Sequence, residues 1–342
     1  MLKKIKQNVL KSVRGLGVFD LLGNSKWRQN KLLILGYHGV SLSDEDDWNP
    51  ELFMSPQQLR ERFELIHEKG CSVLPLNEAI KRLYDGTLPK KAVSITFDDG
   101  LFDFYKQALP LLQEFGFHAT LYATTFYVEY NKPVFGVAAD YLLWKAKSET
   151  LDCSSLIDSD EIFDLSIETE RKRAHSLIDE YVLKNNLSAE QKNGLLEELC
   201  KSLGIDFEKF CDSRVLQLLT PDELAAVARS GVDVELHTHR HRVPLDEQLF
   251  NREIEDNRRV IEDATSRRPM HFCYPSGHYD SRFVPWLNLA NVISATTCSA
   301  ALAASGSDIF KLPRLIDTCS LSSVEFESWL DGVSHFVPQR DG

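Results

Sequence analysis

The sequence predicts an α/β fold, a barrel of parallel strands interrupted by a helical insertion. Three observations predict it. Short apolar runs with strand character alternate with helical stretches from residue 31 to 127, and again from 218 onward. Between them the rhythm stops, and residues 128–217 are long, charged and helix-prone. Residues able to do chemistry collect where the strand-like runs end: His38, Asp98 and Asp99, His237 to His241, and Tyr274 to Gly277. In a parallel α/β barrel those C-terminal ends form the active-site face.

Residues 1–30 read as a basic amphipathic segment. Lys3, Lys4, Lys6, Lys11 and Arg14 alternate with Ile5, Val9, Leu10, Val13, Leu16 and Phe19 at helical spacing. Charges and Gln7-Asn8 break the apolar core that a secretory signal needs, so no signal peptide is read there. The expectation is a cytoplasmic protein. Its N-terminal helix either packs on the domain or makes peripheral contact with the inner face of a membrane. No run reaches the ~18 apolar residues of a membrane span.

Residues 31–127 form the first part of the barrel. Residues 31–36 read as a buried strand that delivers Tyr37-His38-Gly39-Val40. Ser55, Pro56 and Gln58 spell a capping box with Pro at the first helical position, and Gly70 ends that helix. Strands are expected over 71–76, over 92–97 and over 118–125, with helices over 77–84 and 101–116. In the insertion, 168–182 and 188–203 carry apolar residues at helical spacing, and 141–144 reads as an apolar helical patch.

Residues 218–342 form the second part. Thr220, Pro221 and Glu223 spell another capping box, and Gly231 stops its helix. Strands follow over 232–236, 271–274, 292–297 and 310–316, with helices over 245–266, 281–290 and 322–330.

Composition narrows the function. The net charge of -12 argues against a general nucleic-acid binder, which would carry a basic face. Seven scattered cysteines without a CxxC pair suggest reduced thiols in a reducing compartment.

Two motifs carry chemistry. Asp98-Asp99-Gly100 directly follows a strand-like run. Side chains alternate along a strand, so the two carboxylates cannot serve one direction; one can bind a cation while the other faces a reacting water. Three histidines within five residues, His237, His239 and His241, end another strand. Neutral imidazole is the commonest ligand for first-row divalent metals. Two such rings and one carboxylate leave a coordination position open, as in catalytic Zn²⁺ sites.

Thr96-Phe97-Asp98-Asp99-Gly100 followed by His237-Thr238 and His241 resembles the polysaccharide deacetylase superfamily, the NodB-homology domain of carbohydrate esterase family 4. The segments 37–40, 55–76, 272–277 and 312–315 are similar to the branch that includes poly-N-acetylglucosamine deacetylases. The resemblance covers roughly 31–126 and 217–335. It implies a distorted (β/α) barrel of the polysaccharide deacetylase type. It also implies Asp98 as general base, Asp99, His237 and His241 as metal ligands, His38 as general acid, and the backbone N–H of Ser276 at the oxyanion.

Under the same resemblance the cofactor is one divalent metal, Zn²⁺ first, with Co²⁺, Ni²⁺ or Fe²⁺ as alternatives. The partner is an N-acetylated glycan or glycolipid. The expected reaction is metal-dependent hydrolysis of an N-acetyl group; an O-acetyl esterase, a deformylase and a silent glycan-binding scaffold are the alternatives. One departure matters: the family's third motif usually carries an Arg where Cys273 stands. Arg314 is the candidate to orient Asp98 instead. His239 is expected near the metal but not on it. Tyr274 and Trp286 are candidates for a wall on which a sugar stacks.

Overall fold

Eight parallel strands build the sheet: β1 (Leu33–Tyr37), β2 (Ser72–Val73), β3 (Ala92–Phe97), β4 (Ala119–Ala123), β5 (Asp233–Leu236), β6 (His271–Cys273), β7 (Ser294–Thr296) and β8 (Leu315–Ile316). The order is β7-β6-β5-β4-β3-β1-β8, with β2 beside the start of β3. The computed structural model describes residues 2–130, 132–147 and 149–337. Residue 1 of the N-terminal segment, two positions in the insertion and residues 338–342 of the second barrel part lie outside them, as does the side chain of Lys3.

Seven strands curl into a barrel-like half-cylinder, as expected. The edge strand β7 is tied back toward β8 by the run before it. Ala295 N–H donates to the Ile309 carbonyl, Leu312 N–H to Ala295, and Thr297 N–H to Leu312, each at 2.9 Å. The expected strand over 310–316 therefore serves two neighbours in turn. Its first half bonds β7, Pro313 interrupts it for want of an N–H, and Leu315–Ile316 pair with β1. The strand expected over 71–76 is likewise short, because Pro75 already caps the next helix.

Strand alternation sorts the two faces. Val93, Ile95 and Phe97 of β3 join the large core beneath the outer helices. Ile34, Ala92, Tyr122, Cys273 and Leu312 belong to a second cluster that fills the barrel's inside, plugged by the helix Leu76–Tyr84. Ser94 and Thr96 alternate with the outward residues, so Asp98 continues the inward row.

Both capping boxes read in the sequence are formed, Ser55 with Gln58 and Thr220 with Glu223. The helix expected over 101–116 begins instead with a π-turn, Phe104–Ala108, before Leu109–Phe115. Pro110 cannot donate to the carbonyl four residues back, and a widened turn absorbs that loss.

The insertion contains the helices Phe135–Lys145, Glu168–Lys184, Ala189–Ser202 and Phe207–Asp212, together with an unanticipated hairpin of Thr150–Asp152 and Ile162–Asp164. Their core holds Leu142, Ile178, Leu196 and Leu199. At the other end, the N-terminal helix Leu2–Gly15 buries Leu10 against Phe19, Val324 and Val333. Its Lys6 and Arg14 reach Glu325 and Glu327 at 3.8 and 3.0 Å, so two of its basic residues face the protein. Among the described residues no helix is long and apolar enough to cross a membrane.

Candidate active site

The site begins where β3 ends. Asp98 stays in the inward row and is almost fully buried. Asp99 follows with φ of 71°, in the left-handed region, which swings its carboxylate out of that row. Thr238, His241 and Ser276 adopt the same region, with φ of 64°, 52° and 54°. Such backbone is costly for residues with a side chain, and four examples gather around one spot.

Asp99 meets two histidines from the loop after β5. Its Oδ1 lies 3.4 Å from His237 Nε2 and 3.4 Å from His241 Nε2. His237 Nδ1 is 2.9 Å from the Cys273 carbonyl. That contact calls for a proton on Nδ1, leaving the Nε2 lone pair toward Asp99, the usual outer support of a metal-ligating histidine. The three ligand atoms all lie within 4.8 Å of one another. Asp98, His237 and Cys273 satisfy the same distance test. That second group fits a cation poorly, because the Arg314 guanidinium already occupies both Asp98 oxygens and touches the Cys273 sulfur. The donor set of Asp99, His237 and His241 is the one that fits a divalent ion.

Arg314 is fully buried and serves Asp98 directly. Its Nη1 donates to Asp98 Oδ1 and its Nη2 to Oδ2, each at 2.7 Å; Nη1 also donates to Thr96 Oγ1 at 3.0 Å, and Nε to the Thr297 carbonyl at 3.1 Å. Cys273 Sγ is 3.0 Å from Nη2. Gly36 makes room for this: a Cβ there would sit 2.6 Å from Ile316 and 3.4 Å from Arg314 Nη1. Arg314 thus stands against Asp98 from the run just before β8, whereas Cys273 ends β6.

Electrostatics follow from these contacts. Burial alone would raise the Asp98 carboxyl, but Arg314 outweighs it and the group lies at about 2. Burial likewise opposes ionisation of Asp99, and the neighbouring imidazoles of His237 and His241 outweigh it, holding the group well below the usual carboxylate range. Burial pushes His241 down, which favours the neutral ring that binds metals. His38 Nε2 stands 3.7 Å from Asp98 Oδ2 and is partly exposed.

The remaining candidates divide. His239 packs beside the group but not in it: its Nδ1 is 2.9 Å from Thr125 Oγ1 and its ring meets Phe126 edge-on. Ser276 lines the same cavity as Asp99 and His241. Tyr274 does not form a sugar-stacking wall. It is fully buried, with its hydroxyl donating to the Phe310 carbonyl at 3.0 Å and its ring among Phe272, Tyr279 and Phe283. Trp286 packs on Phe250 and Phe283 and lines neither hollow beside the site. Aromatics near strand ends are claimed here by the core.

Three positioning residues went unread in the sequence. Asn257 accepts from His237 N–H at 2.9 Å and donates to the Ala123 carbonyl and Thr125 Oγ1. Glu253, one turn earlier on the helix Glu247–Thr265, accepts from Arg240 N–H, Arg240 Nη1 and Arg242 Nε. The legible signal was their spacing of four, on the same stripe as Phe250, Ile254 and Ile261. Asp103 is buried beside Gly39 and Val40, the two residues after His38; burial raises it well above the usual range, and Val40 N–H bonds to it.

Comparison with known proteins points the same way. The family model described as polysaccharide deacetylase matches residues 85–292. A poly-beta-1,6-N-acetyl-D-glucosamine N-deacetylase from Escherichia coli K12 is 35% identical over 100 residues, 28% of this chain and 14% of that protein's length. Two solved structures share the fold. Streptococcus pyogenes deacetylase PplD, in complex with acetate, has a TM-score of 0.57 at 18% identity over 86% of this chain and 96% of its own. IcaB from Ammonifex degensii has a TM-score of 0.54 at 16% identity over 88% and 97%.

Proposed function

Because this chain belongs to the polysaccharide deacetylase family, we propose that it hydrolyses the N-acetyl group of an amino sugar in a glycan or glycolipid, with a divalent metal, Zn²⁺ first, held by Asp99, His237 and His241. The observation that carries this reading is the pairing of two carboxylates in different roles: Asp98 locked by Arg314, and Asp99 beside two imidazoles.

When bound, the cation supplies Lewis-acid polarisation of the acyl oxygen and a more acidic water. The chain's own residues do the rest. Arg314 keeps Asp98 ionised and aimed, so the carboxylate is ready to accept a proton from the attacking water, though as a weak base. His38, 3.7 Å away and partly exposed to the cavity, is placed to receive that proton and to deliver one to the departing nitrogen. An amine leaves only when protonated, whereas an ester alkoxide needs less help, so a histidine in this place favours amide cleavage. Ser276 offers its backbone N–H to the developing oxyanion, a contribution worth roughly 10²–10³ in rate where measured elsewhere.

The test is acetate release from N-acetylglucosamine oligomers, with matched O-acetyl esters, by zinc-loaded protein before and after chelation. Chelator-sensitive release from the amide supports the reading. Release from esters alone, or activity indifferent to chelation, overturns it.

A further inference from the structure

The cavity above Asp99 does not end at the metal-ligating group. It encloses about 610 Å³ and runs into a chamber walled by Val134, Val137 and Leu187 of the insertion and by Leu101, Leu216 and Leu218. Val134, Val137 and Leu187 are only half-buried, so apolar surface faces empty space instead of a protein partner. A second hollow of about 430 Å³ joins the first at His241, Arg242 and Ser276, and presents His278, Tyr279 and Asp280. The two differ in character: one offers polar partners to a sugar ring, the other hydrocarbon walls. An acetyl methyl needs only a small part of the apolar end, and a partly open cavity of this size with mostly apolar walls marks a ligand site.

Besides Arg240 and Arg242, which are both paired with Glu253, a third cation lines the cavity. Lys192, half-buried in the first turn of Ala189–Ser202, lines the cavity and makes no ion pair among the described residues. A partly desolvated ammonium without a partner favours an anion in the ligand. A longer N-acyl chain would fill the chamber but brings no charge. A phosphate between a sugar and a lipid brings both.

We propose that the substrate is an N-acetylated amino sugar joined through phosphate to an aliphatic chain, with the chain in the chamber and the phosphate at Lys192. This rests on the deacetylase reading above. The test reads binding without turnover, so each can fail without the other. Titration calorimetry of the full chain would compare decyl N-acetylglucosaminyl phosphate, N-acetylglucosamine 1-phosphate, decyl N-acetylglucosaminide and methyl N-decanoylglucosaminide, all below their micellar concentrations.

The decyl phosphate should bind at least about tenfold more tightly than the chain-free phosphate, given the apolar area buried. Val137→Asn with Leu187→Asn should remove that advantage and leave chain-free binding intact. Lys192→Gln should remove the advantage of the decyl phosphate over the decyl glycoside. Equal binding with and without the chain overturns the proposal, even if acetate is released. Tightest binding by the N-decanoyl compound also overturns it and makes the chamber an acyl site. Should the double variant fail to fold, as thermal melting would show, the four-ligand comparison on the unaltered chain still decides.

Discussion

Arg314 and Asp98 face each other through two N–H···O contacts of 2.7 Å, across 216 positions of sequence. Both side chains are buried, and the fork geometry fixes the carboxylate in one plane. Arg314→Lys keeps the charge and loses the fork. We expect kcat to fall about 10²-fold through misalignment, with metal content unchanged. Because Arg314 is what lowers Asp98, the acidic limb of the kcat/KM profile should move to higher pH. An unmoved limb would contradict the pairing. Arg314→Ala leaves a buried carboxylate alone and should destabilise the fold by about 3–5 kcal/mol in denaturant titration.

Metal content separates the two aspartates. Asp99→Ala, His237→Ala and His241→Ala should each purify with metal far below one equivalent, read by inductively coupled plasma mass spectrometry. Asp98→Asn and His38→Ala should retain it and lose turnover by about 10²–10⁴, the range of a general acid or base. Full metal in the first set would refute the assigned ligands.

Cys273 tests how the orienting role is filled. Its sulfur lies 3.0 Å from Arg314 Nη2 in a fully buried place. Cys273→Arg would put a second guanidinium against the first with no second acid to answer it. It should lower the melting temperature markedly and cost activity. Overpacking alone accounts for about 1–3 kcal/mol of that loss. Cys273→Ala should keep most turnover, since Arg314 still holds Asp98.

Glu235 sets a pH dependence of stability. Burial raises its carboxyl from an ordinary 4.5 to about 8, although Met270 and His271 N–H groups donate to it at 2.6 and 2.7 Å. Between those values the folded state holds a proton that the unfolded chain has released. Stability from this group is therefore complete below about 4.5 and falls as pH rises through 8. The ceiling is roughly 1.4 kcal/mol per pKa unit. Urea midpoints of wild type and Glu235→Gln at pH 5 and pH 8.5 should show the wild type losing more. The neighbouring His271, which burial lowers to about 4, is common to both and cancels.

What the sequence determined by itself is what short-range interactions govern. The capping boxes at Ser55 and Thr220 involve residues three apart, and periodicity alone marks β1, β3, β4 and most helices. Adjacency at a strand end was enough to say that Asp98 and Asp99 point different ways, although a left-handed turn at Asp99, not strand alternation, is what parts them, and the spacing of His237 and His241 was enough to mark a pair of rings. The tertiary structure decided whatever depends on residues far apart. Only the curled sheet brings Arg314 to Asp98, divides the run 310–316 between two neighbours, buries Tyr274, and packs the half-buried Trp286 on Phe250 and Phe283 away from the cavity. Only the docking of the insertion creates the chamber with Lys192 at its wall. A caps-and-periods reading sees the neighbours a residue has along the chain. Which side chain fills the space beside a strand end depends on barrel curvature and packing, and no local spacing encodes those.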